Sequence, residues 1–339
     1  MKKLKLGVIG AGFIGTIHAR IFHESFGARL VAVADADRNA QDRVTKSFGC
    51  EYYSDYEEML KNADIEAVSI CLPDVHHVEP ALAAARAGKH ILLEKPMART
   101  VEECLKIKNA VNKYGVKLMV AHVLRFDPAY KRARDAVANG EIGEVVHLSA
   151  ERKNSRLLAQ RLNGRTSMLF YVGIHDIDAV QWCAGQRITK VYAQRVVNIN
   201  KEWNSEDCIY ILANLGEKII ANFEYSWTLP ENFPAGLKSK LEIYGSKSTA
   251  LLNRFDMGLQ IYKEKDTDLP YELYDMIHWP EANDRIVGDL KYELDHFIDS
   301  VQSGAEFLMP VDDAISAVNV IEAIMESYQR NVAVEVKKL

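Results

Sequence analysis

The sequence predicts an α/β protein: an N-terminal doubly wound parallel sheet of the Rossmann type, followed by a C-terminal α+β domain with a large, mostly antiparallel sheet. Three observations predict it. Apolar runs alternate with helical segments over the first 122 residues, a glycine-rich turn joins the first strand to the first helix, and later apolar runs are paired across glycine-containing turns. We therefore predict two domains, residues 1–122 and 123–339, because domains average roughly 150 residues.

The elements of the first domain are predicted from apolar runs and helix boundary signals. Strands of a parallel sheet are covered by helices on both faces, so they appear as continuous apolar runs. The predicted strands are 4–9, 29–34, 67–71, 90–93 and 117–121. The predicted helices are 13–26, 39–48, 54–61, 77–87 and 100–114, the last opening with Thr100 and Glu103 at capping-box spacing.

The second domain is predicted to be mixed. A helix at 127–139, a strand at 144–151 and a longer helix at 167–183 come first. Two strand pairs follow, 208–215 with 219–227 and 240–244 with 250–254, and short glycine-containing turns of the kind found in hairpins join them. Helices at 289–303 and 311–329 end the chain.

Composition and charge exclude several classes of protein. With 42 basic and 47 acidic residues, the net charge of −5 lacks the basic surface of a nucleic-acid-binding protein. No apolar stretch approaches the ~20 residues that span a bilayer. The five cysteines are scattered without C-x-x-C spacing, which favours reduced thiols over a disulfide scaffold or a zinc site. We therefore expect a cytoplasmic protein without metal, nucleic-acid or membrane partners.

The strongest local motif is Gly10-Ala11-Gly12-Phe13-Ile14-Gly15, between the first strand and the first helix. In a dinucleotide site the first glycine makes the tight turn, the second lets the backbone approach a pyrophosphate, and the third lets helix and strand pack closely. The positive end of the helix dipole then faces the phosphates. Because strand, turn and helix agree, we predict a dinucleotide site that includes Phe13 and Ile14.

Asp35 ends the second strand, 20 residues after Gly15, where a carboxylate can accept hydrogen bonds from the adenosine ribose. The same carboxylate would repel the 2′-phosphate of NADP, which favours NAD. Arg38 leaves NADP open, because an arginine just past the strand can bind that phosphate or stack on adenine.

Four further motifs carry a resemblance to a known family. They are Cys71-Leu72-Pro73-Asp74-Val75-His76-His77, the run from Ala87 through Glu94-Lys95-Pro96, Arg125-Phe126-Asp127-Pro128-Ala129-Tyr130, and Gly173-Ile174-His175-Asp176-Ile177-Asp178. In this order they resemble the glucose–fructose oxidoreductase, inositol dehydrogenase and rhizopine catabolism (Gfo/Idh/MocA) family. The resemblance covers the first domain and the start of the second. It implies a catalytic Lys95 and a homodimer or homotetramer built through the open sheet faces of the second domain.

Lys95 also makes chemical sense without the resemblance. It emerges at the carboxyl end of an apolar strand, the edge where doubly wound sheets bind ligands. Its ammonium can hold a substrate oxygen and stabilise alkoxide character there. Glu94 can orient the lysine or a ribose hydroxyl. The resemblance places Leu72, Pro73, His77 and Arg125 near the cofactor as well, although His77 could equally be a structural helix cap.

His175 is the second candidate catalytic residue. On a continuous α-helix over 167–183, Tyr171, His175 and Asp178 would share one face, and Asp176 would point away. A phenol, an imidazole and a carboxylate so aligned can exchange a proton with the substrate. Many cyclitol and sugar dehydrogenases of the family have an aspartate where this chain has Tyr171. Two alternatives stay open: Tyr171 exchanges the proton, or it packs against the nicotinamide or sugar.

A basic segment, which includes Arg156, Arg161 and Arg165, precedes that helix. It is either a solvated loop or a clamp on the substrate, because guanidinium groups bind carboxylates and phosphates in a bidentate manner. A clamp would suit an acidic or phosphorylated sugar.

Together these features predict a NAD(P)-dependent oxidoreductase that transfers a hydride between nicotinamide and a secondary alcohol, or its ketone, of a sugar, cyclitol or sugar derivative. Two alternatives use the same scaffold. One is a redox-assisted glycosidase or lyase, in which bound NAD is regenerated in each turnover. The other is a cofactor-sensing regulator without chemistry, which would not need Lys95 and His175.

Overall fold

The computed structural model describes residues 2–231, 233, 237–254, 258–262 and 271–339. The chain forms two compact units, one of residues 1–123 and 281–315 and the other of residues 124–280 and 316–339. The sequence analysis placed 281–315 in the second domain, and the structure corrects this. Apolar side chains of Leu294, Phe297 and Ile298 are buried in the first unit, and the Lys117 ammonium donates to the Ser300 carbonyl.

The first unit contains a parallel six-stranded sheet in the order β3-β2-β1-β4-β5-β6, the strand order of a doubly wound fold. Its strands are β1 Leu4–Ile9, β2 Ala28–Ala34, β3 Glu51–Tyr53, β4 Ala67–Ile70, β5 His90–Glu94 and β6 Leu118–Ala121. Its helices are α1 Phe13–Glu24, α2 Asn39–Phe48, α3 Tyr56–Asn62, α4 Val78–Arg86 and α5 Val101–Tyr114.

The predicted elements of this unit are confirmed to within a few residues, with one addition. The edge strand β3 has only three residues, too few to produce a periodic signal. At the start of α5, Thr100 Oγ1 accepts the Glu103 N–H as predicted, while the Glu103 carboxylate accepts the N–H of Arg99. Both bonds satisfy amides that the helix itself leaves without a partner.

The second unit is built on a seven-stranded sheet in the order β12-β11-β7-β10-β9-β8-β17. All neighbours in it are antiparallel except β7 and β10, so the predicted mostly antiparallel sheet is confirmed. The remaining elements of the chain are α6 Pro128–Ala138, β7 Val145–Ser155, α7 Arg156–Leu162, α8 Ile174–Ala184, β8 Ile188–Val196, β9 Cys208–Leu215, β10 Ile219–Leu229, β11 Leu237–Gly245, β12 Thr249–Arg254, β13 Gly258–Tyr262, β14 Tyr271–Asp275, β15 Glu281–Ala282, β16 Arg285–Ile286, α9 Asp289–Ser303, α10 Val311–Arg330 and β17 Val334–Glu335.

Two predictions for the second unit need correction. The basic segment is not a loop: β7 extends to Ser155, whose hydroxyl accepts the Leu157 N–H and opens the short helix α7. The helix predicted over 167–183 is not uniform, because a turn of π-helix, Leu169–Gly173, precedes α8. No helix in the described part of the chain is long and apolar enough to cross a membrane.

Candidate active site

The glycine-rich turn of the first unit has the geometry that its motif predicts. Gly10 has φ +93°, and a Cβ there would lie 2.7 Å from the Cys71 carbonyl oxygen. A Cβ on Gly15 would lie 1.9 Å from the carbonyl oxygen of Gly10, so only glycine lets α1 pack this closely. At Gly12 no heavy atom of the described residues lies within 4 Å of an added Cβ. The backbone at Gly12 is therefore open to a ligand, in front of the amino end of α1.

Asp35 is tied to this turn. Its Oδ2 accepts the Ala11 N–H at 2.6 Å and its Oδ1 accepts the Asp37 N–H at 2.8 Å. Arg43 on α2 donates from Nη2 to the Ala11 carbonyl at 2.6 Å. The sequence analysis missed Arg43, because nothing in its helix pattern distinguishes it from a solvated surface residue. The turn is thus held by a carboxylate on one side and a guanidinium on the other.

An open cleft of about 720 Å³ lies beside Asp35, at the carboxyl ends of β1 and β2. Asp35 and Leu72 line it as predicted, together with Tyr56, Val75 and His76. Arg38 and Phe13 are exposed and Ile14 is half-buried. The cleft, the bare backbone at Gly12 and the fixed carboxylate fit a dinucleotide such as NAD.

His77 supports this edge of the sheet from inside. Its Nδ1 lies 2.8 Å from the Pro96 carbonyl oxygen and its Nε2 lies 2.8 Å from that of Leu72. The ring is fully buried and both nitrogens face backbone carbonyls, so it joins the turns that follow β4 and β5. These contacts favour the structural alternative for His77, and its cofactor contact stays a prediction. Pro73, by contrast, is exposed at the end of the β4 turn.

Glu94 and Lys95 lie where the sequence places them, at the carboxyl end of β5. Lys95 is half-buried, and Oε2 of Glu94 accepts its backbone N–H at 3.1 Å. Oε1 of Glu94 lies 3.4 Å from Nε2 of His18. Burial alone would raise the pKa of Glu94, but His18 and Lys95 lower it overall. Glu94 is therefore an ionised, partly shielded carboxylate directly before the candidate catalytic lysine.

The second unit presents its candidate residues on the π-turn and the first turn of α8. The Glu206 carboxylate accepts the Ser167 hydroxyl at 2.8 Å and the Met168 N–H, and so fixes the start of this segment. The Tyr225 hydroxyl donates to the Gly173 carbonyl at 3.2 Å. A Cβ on Gly173 would lie 3.1 Å from the Tyr225 ring, so the small residue allows the close packing. A π-turn is wider than an α-turn and is common at functional sites.

Tyr171 lies on that wide turn and contacts the basic segment. Its hydroxyl oxygen accepts a hydrogen bond from Nη2 of Arg161 at 2.9 Å, and its ring packs edge-on against Trp227. Both Tyr171 and His175 are half-buried. The phenol is thus polarised by Arg161, a cation ten residues earlier in the chain. This contact was not predicted from the sequence.

Asp178 lies on α8, beyond the π-turn that holds Tyr171, so the continuous α-helix on which the helical-face prediction depended is wrong. Asp178 is 2% exposed and accepts two hydrogen bonds from Arg125, at 2.9 Å and 2.6 Å. The guanidinium of Arg125 also stacks on the Trp182 ring. This ion pair holds the two residues together within the second unit, and the substrate contact of Asp178 and the cofactor contact of Arg125 stay predictions. The π-turn changes the angular spacing of the side chains, because it breaks the 3.6-residue period used for the prediction.

A second buried ion pair follows the same pattern. Asp176, which the sequence pattern directs away from the site, accepts two hydrogen bonds from Arg152 on β7, at 2.9 Å and 2.8 Å. Burial would lower the pKa of Arg152, but the charge of Asp176 raises it overall. These two pairs fasten α8 to its neighbours directly after His175 in the sequence.

The other two arginines of the basic segment, Arg165 and Arg156, occupy different positions on α7 and at its end. Arg165 is exposed and donates to the carbonyls of Leu162 and Arg161, where it caps the end of α7. Arg156 is half-buried at the first position of α7. Of the three predicted clamp residues, Arg161 is the one that contacts a candidate catalytic side chain. Within the described residues, no group of three or more His, Cys, Asp or Glu side chains could hold a metal ion.

Comparisons with known proteins cover both units. Residues 4–122 match the model of an oxidoreductase family with an NAD-binding Rossmann fold, GFO_IDH_MocA, and residues 130–251 match the GFO/IDH/MocA C-terminal domain. The chain is 30% identical over 336 residues to inositol 2-dehydrogenase from Rhizobium meliloti (strain 1021), with 96% of each chain covered.

Two further relatives are more distant. A match of 28% identity over 190 residues is to 2,7-anhydro-N-acetylneuraminate hydratase from Mediterraneibacter gnavus, covering 55% of this chain and 50% of that protein. The structure of scyllo-inositol dehydrogenase from Lactobacillus casei with bound NAD(H) and scyllo-inositol has the same fold, with a TM-score of 0.82, 21% identity and 99% of each chain covered. The chain therefore belongs to the Gfo/Idh/MocA family of oxidoreductases, and its first unit is that family's NAD-binding Rossmann domain.

Proposed function

We propose that the protein is an NAD-dependent dehydrogenase or reductase that acts on a secondary alcohol, or its ketone, of a cyclitol, sugar or sugar derivative. The observation that carries this proposal is Lys95 at the carboxyl end of β5, with its backbone held by an ionised Glu94, in the same unit as the glycine turn. The match to inositol 2-dehydrogenase along almost the whole chain supports the substrate class.

NAD, when bound, accepts or supplies the hydride. The backbone at Gly12 and the amino end of α1 would hold its pyrophosphate, and Asp35 would accept hydrogen bonds from its adenosine ribose. The Lys95 ammonium binds the reacting oxygen of the substrate and stabilises negative charge on it. His175 exchanges the proton with that oxygen.

Asp35 favours NAD over NADP in this proposal. Its carboxylate lies in the cleft and would repel a 2′-phosphate. Arg38 and Arg43, both exposed, are the cations that would weaken this preference.

The Arg161–Tyr171 contact supports an anionic substrate. A carboxylate at position 171 would repel such a substrate, whereas a phenol does not, and Arg161 supplies a positive charge beside it. The similarity to a hydratase of a neuraminate, a carboxylate-bearing sugar, points in the same direction. It also favours a second candidate function, a redox-assisted elimination or hydration in which NAD is not consumed.

We further propose that the protein is cytoplasmic and assembles as a homodimer or homotetramer. The cysteines in the described part of the chain form no disulfide, which supports a cytoplasmic location because the cytoplasm is a reducing compartment. Large side chains exposed on one face of the second unit's sheet, among them Tyr210, Leu212 and Ile220, support assembly through that face.

The test is a panel of cyclitols, hexoses, uronates and sugar phosphates, assayed for formation of reduced nicotinamide and, separately, for product by mass spectrometry. Lys95→Ala should lower turnover on the best substrate by at least ~10²-fold while NAD affinity is largely kept. Lys61→Ala, an exposed lysine on α3, is the matched control and should leave turnover unchanged. Product formed without net reduction of NAD would replace the first function by the second, and unchanged turnover of Lys95→Ala would remove Lys95 from the mechanism.

A further inference from the structure

A buried polar cluster in the first unit joins Glu94, which holds the Lys95 backbone, to four side chains that have no role in the function proposed above. It consists of His18, Ser69, Cys71, Glu94 and Glu293, and we refer to it as the His18 cluster. The His18 ring on α1 is fully buried, with Nδ1 2.8 Å from Ser69 Oγ and 3.4 Å from Cys71 Sγ. Its Nε2 lies 3.4 Å from Oε1 of Glu94. The His18 imidazole therefore connects β4 to Glu94, the last residue of β5, which directly precedes Lys95.

Glu293 completes the cluster from α9. Its side chain is fully buried, and neither carboxyl oxygen has a hydrogen-bond partner among the residues that the structure describes. Burial, followed by the negative charge of Glu94, raises the pKa of Glu293 well above its usual value. Burial therefore favours the neutral form of this carboxyl group.

His18 supplies the positive charge of the cluster. Burial opposes that charge, but Cys71 and Glu94 together raise the pKa of His18 to about 10. Glu293 on α9 also interacts with His18, and Asp289 on the same helix acts on Glu293. The cluster thus combines His18, whose protonated form is favoured, with Glu94, whose ionised form is favoured.

We propose that His18 is a positioning residue for the reaction: as an imidazolium it clamps the Glu94 carboxylate at the end of β5 and so fixes the backbone from which Lys95 projects. The inference rests on the proposed roles of Glu94 and Lys95. The two oxygens of Glu94 have separate tasks, since Oε1 faces His18 and Oε2 accepts the Lys95 N–H. Removing the cation takes away the largest compensation for burial of the Glu94 carboxylate, which favours its protonation and loosens its hold on Lys95.

The charge state of His18 can be tested in the protein without cofactor. Imidazole C–H signals are followed by NMR from pH 5 to 10.5, and the signal of His18 is assigned by its loss in His18→Gln. We expect the His18 ring to stay protonated through neutral pH and to lose its proton only near pH 10. A ring that titrates between pH 6 and 7 would overturn the proposal.

The effect on the active site is tested by the pH profile of kcat/KM and by the dissociation constant of NAD. In His18→Gln the amide can donate to Glu94 but carries no charge, so the acidic limb of the profile should move up by about one pH unit or more. Much of the lost activity should return at pH 8 to 9. His23→Gln, an exposed histidine of the same helix, is the control and should keep the wild-type profile.

Glu94→Gln separates failure of this inference from failure of the proposed function. If Glu94→Gln changes neither turnover nor NAD binding, the proposed role of Glu94 is wrong, while the NMR result still reports the charge of His18. If Glu94→Gln is impaired but His18→Gln loses activity equally at every pH, His18 has only a structural role and the inference fails. The double variant should show no pH shift beyond that of Glu94→Gln.

Discussion

The two units bury charge in different ways. In the second unit, Arg125 with Asp178 and Arg152 with Asp176 are complete pairs, each with two hydrogen bonds between one guanidinium and one carboxylate. In the first unit, His18 lies near two acids. It lowers the pKa of Glu94 against the effect of burial, whereas burial and the charge of Glu94 raise the pKa of Glu293 well above its usual value. Paired charges of this kind fix geometry over a wide pH range, whereas an odd number of charges must share or lose a proton.

This difference between the units affects how the reaction should respond to pH. α8 carries His175 and is fastened by two ion pairs, each with two hydrogen bonds between a guanidinium and a carboxylate. The end of β5 carries Lys95 and is fastened by Glu94, whose charge depends on a histidine. We therefore expect pH to act on the reaction mainly through the first unit, and the second unit to respond mainly to loss of a partner.

The largest effect should come from breaking a complete pair. Asp176→Asn leaves the buried Arg152 without a counter-charge, and loss of one partner from such a pair typically costs about 3–5 kcal/mol of the free energy of unfolding. Urea unfolding followed by circular dichroism measures this cost.

The control for that experiment removes both partners. Arg152→Met combined with Asp176→Leu leaves no buried charge, so it should recover most of the stability lost in Asp176→Asn. If the double variant is less stable than Asp176→Asn, the pair itself supplies net stability, and the comparison between the units has to be revised.

A second effect should come from the unpaired acid of the first unit. In the unfolded chain Glu293 ionises above its ordinary pKa of 4.5, while in the folded protein burial raises that pKa and favours the neutral form. Rising pH therefore stabilises the unfolded state, and Glu293 lowers stability progressively above about pH 4.5. Glu293→Gln removes this cost, so its stability relative to the wild type should increase by up to about 1.4 kcal/mol for each pH unit. Urea unfolding at pH 5, 6.5 and 8 measures the trend, and a constant difference would mean that Glu293 is ionised in the fold.

The fold and the candidate site could be predicted from the sequence only in part. The glycine turn and Lys95 were predictable because each depends on a short local pattern of strand, turn and helix. The ion pair of Asp178 could not be predicted, because its partner, Arg125, lies 53 residues away in the chain. The π-turn between Tyr171 and His175 could not be predicted either, because the sequence pattern assumes a continuous α-helix. Glu293 gave no signal at all, because nothing near it in the chain shows that α9 belongs to the first unit.

Asp35 offers a sharper test of how the first unit uses charge. Asp35→Asn keeps an acceptor for the Ala11 N–H but removes the charge, whereas Asp35→Ser removes both. We expect both variants to shift the preference from NAD toward NADP by about tenfold, and Asp35→Ser to lose more affinity for NAD, because it also loosens the glycine turn. Dissociation constants for the two cofactors measure this. A wild type that binds NADP much more tightly than NAD would contradict the role given to Asp35.

The smallest effect is expected where the second unit's charge is exposed, at Arg161. If the substrate is anionic, Arg161→Ala should raise its KM by about threefold to tenfold and lower kcat less, because a solvent-exposed guanidinium binds the substrate in the ground state and the transition state alike. Arg165→Ala is the matched control: its guanidinium caps α7, so KM should change little.

Tyr171→Phe then decides what the phenol does. A large loss in kcat identifies Tyr171 as the proton-exchanging group. A rise in KM alone indicates instead that the phenol helps to bind the substrate. If the double variant Tyr171→Phe with Arg161→Ala has no higher KM than Tyr171→Phe, the two side chains bind substrate as one unit. Tyr171→Asp sharpens the result, because a carboxylate beside Arg161 should weaken binding of a uronate and spare that of a neutral cyclitol. The link between the phenol, the arginine and substrate charge is wrong if the best substrate is a neutral polyol, or if KM is unchanged in Arg161→Ala.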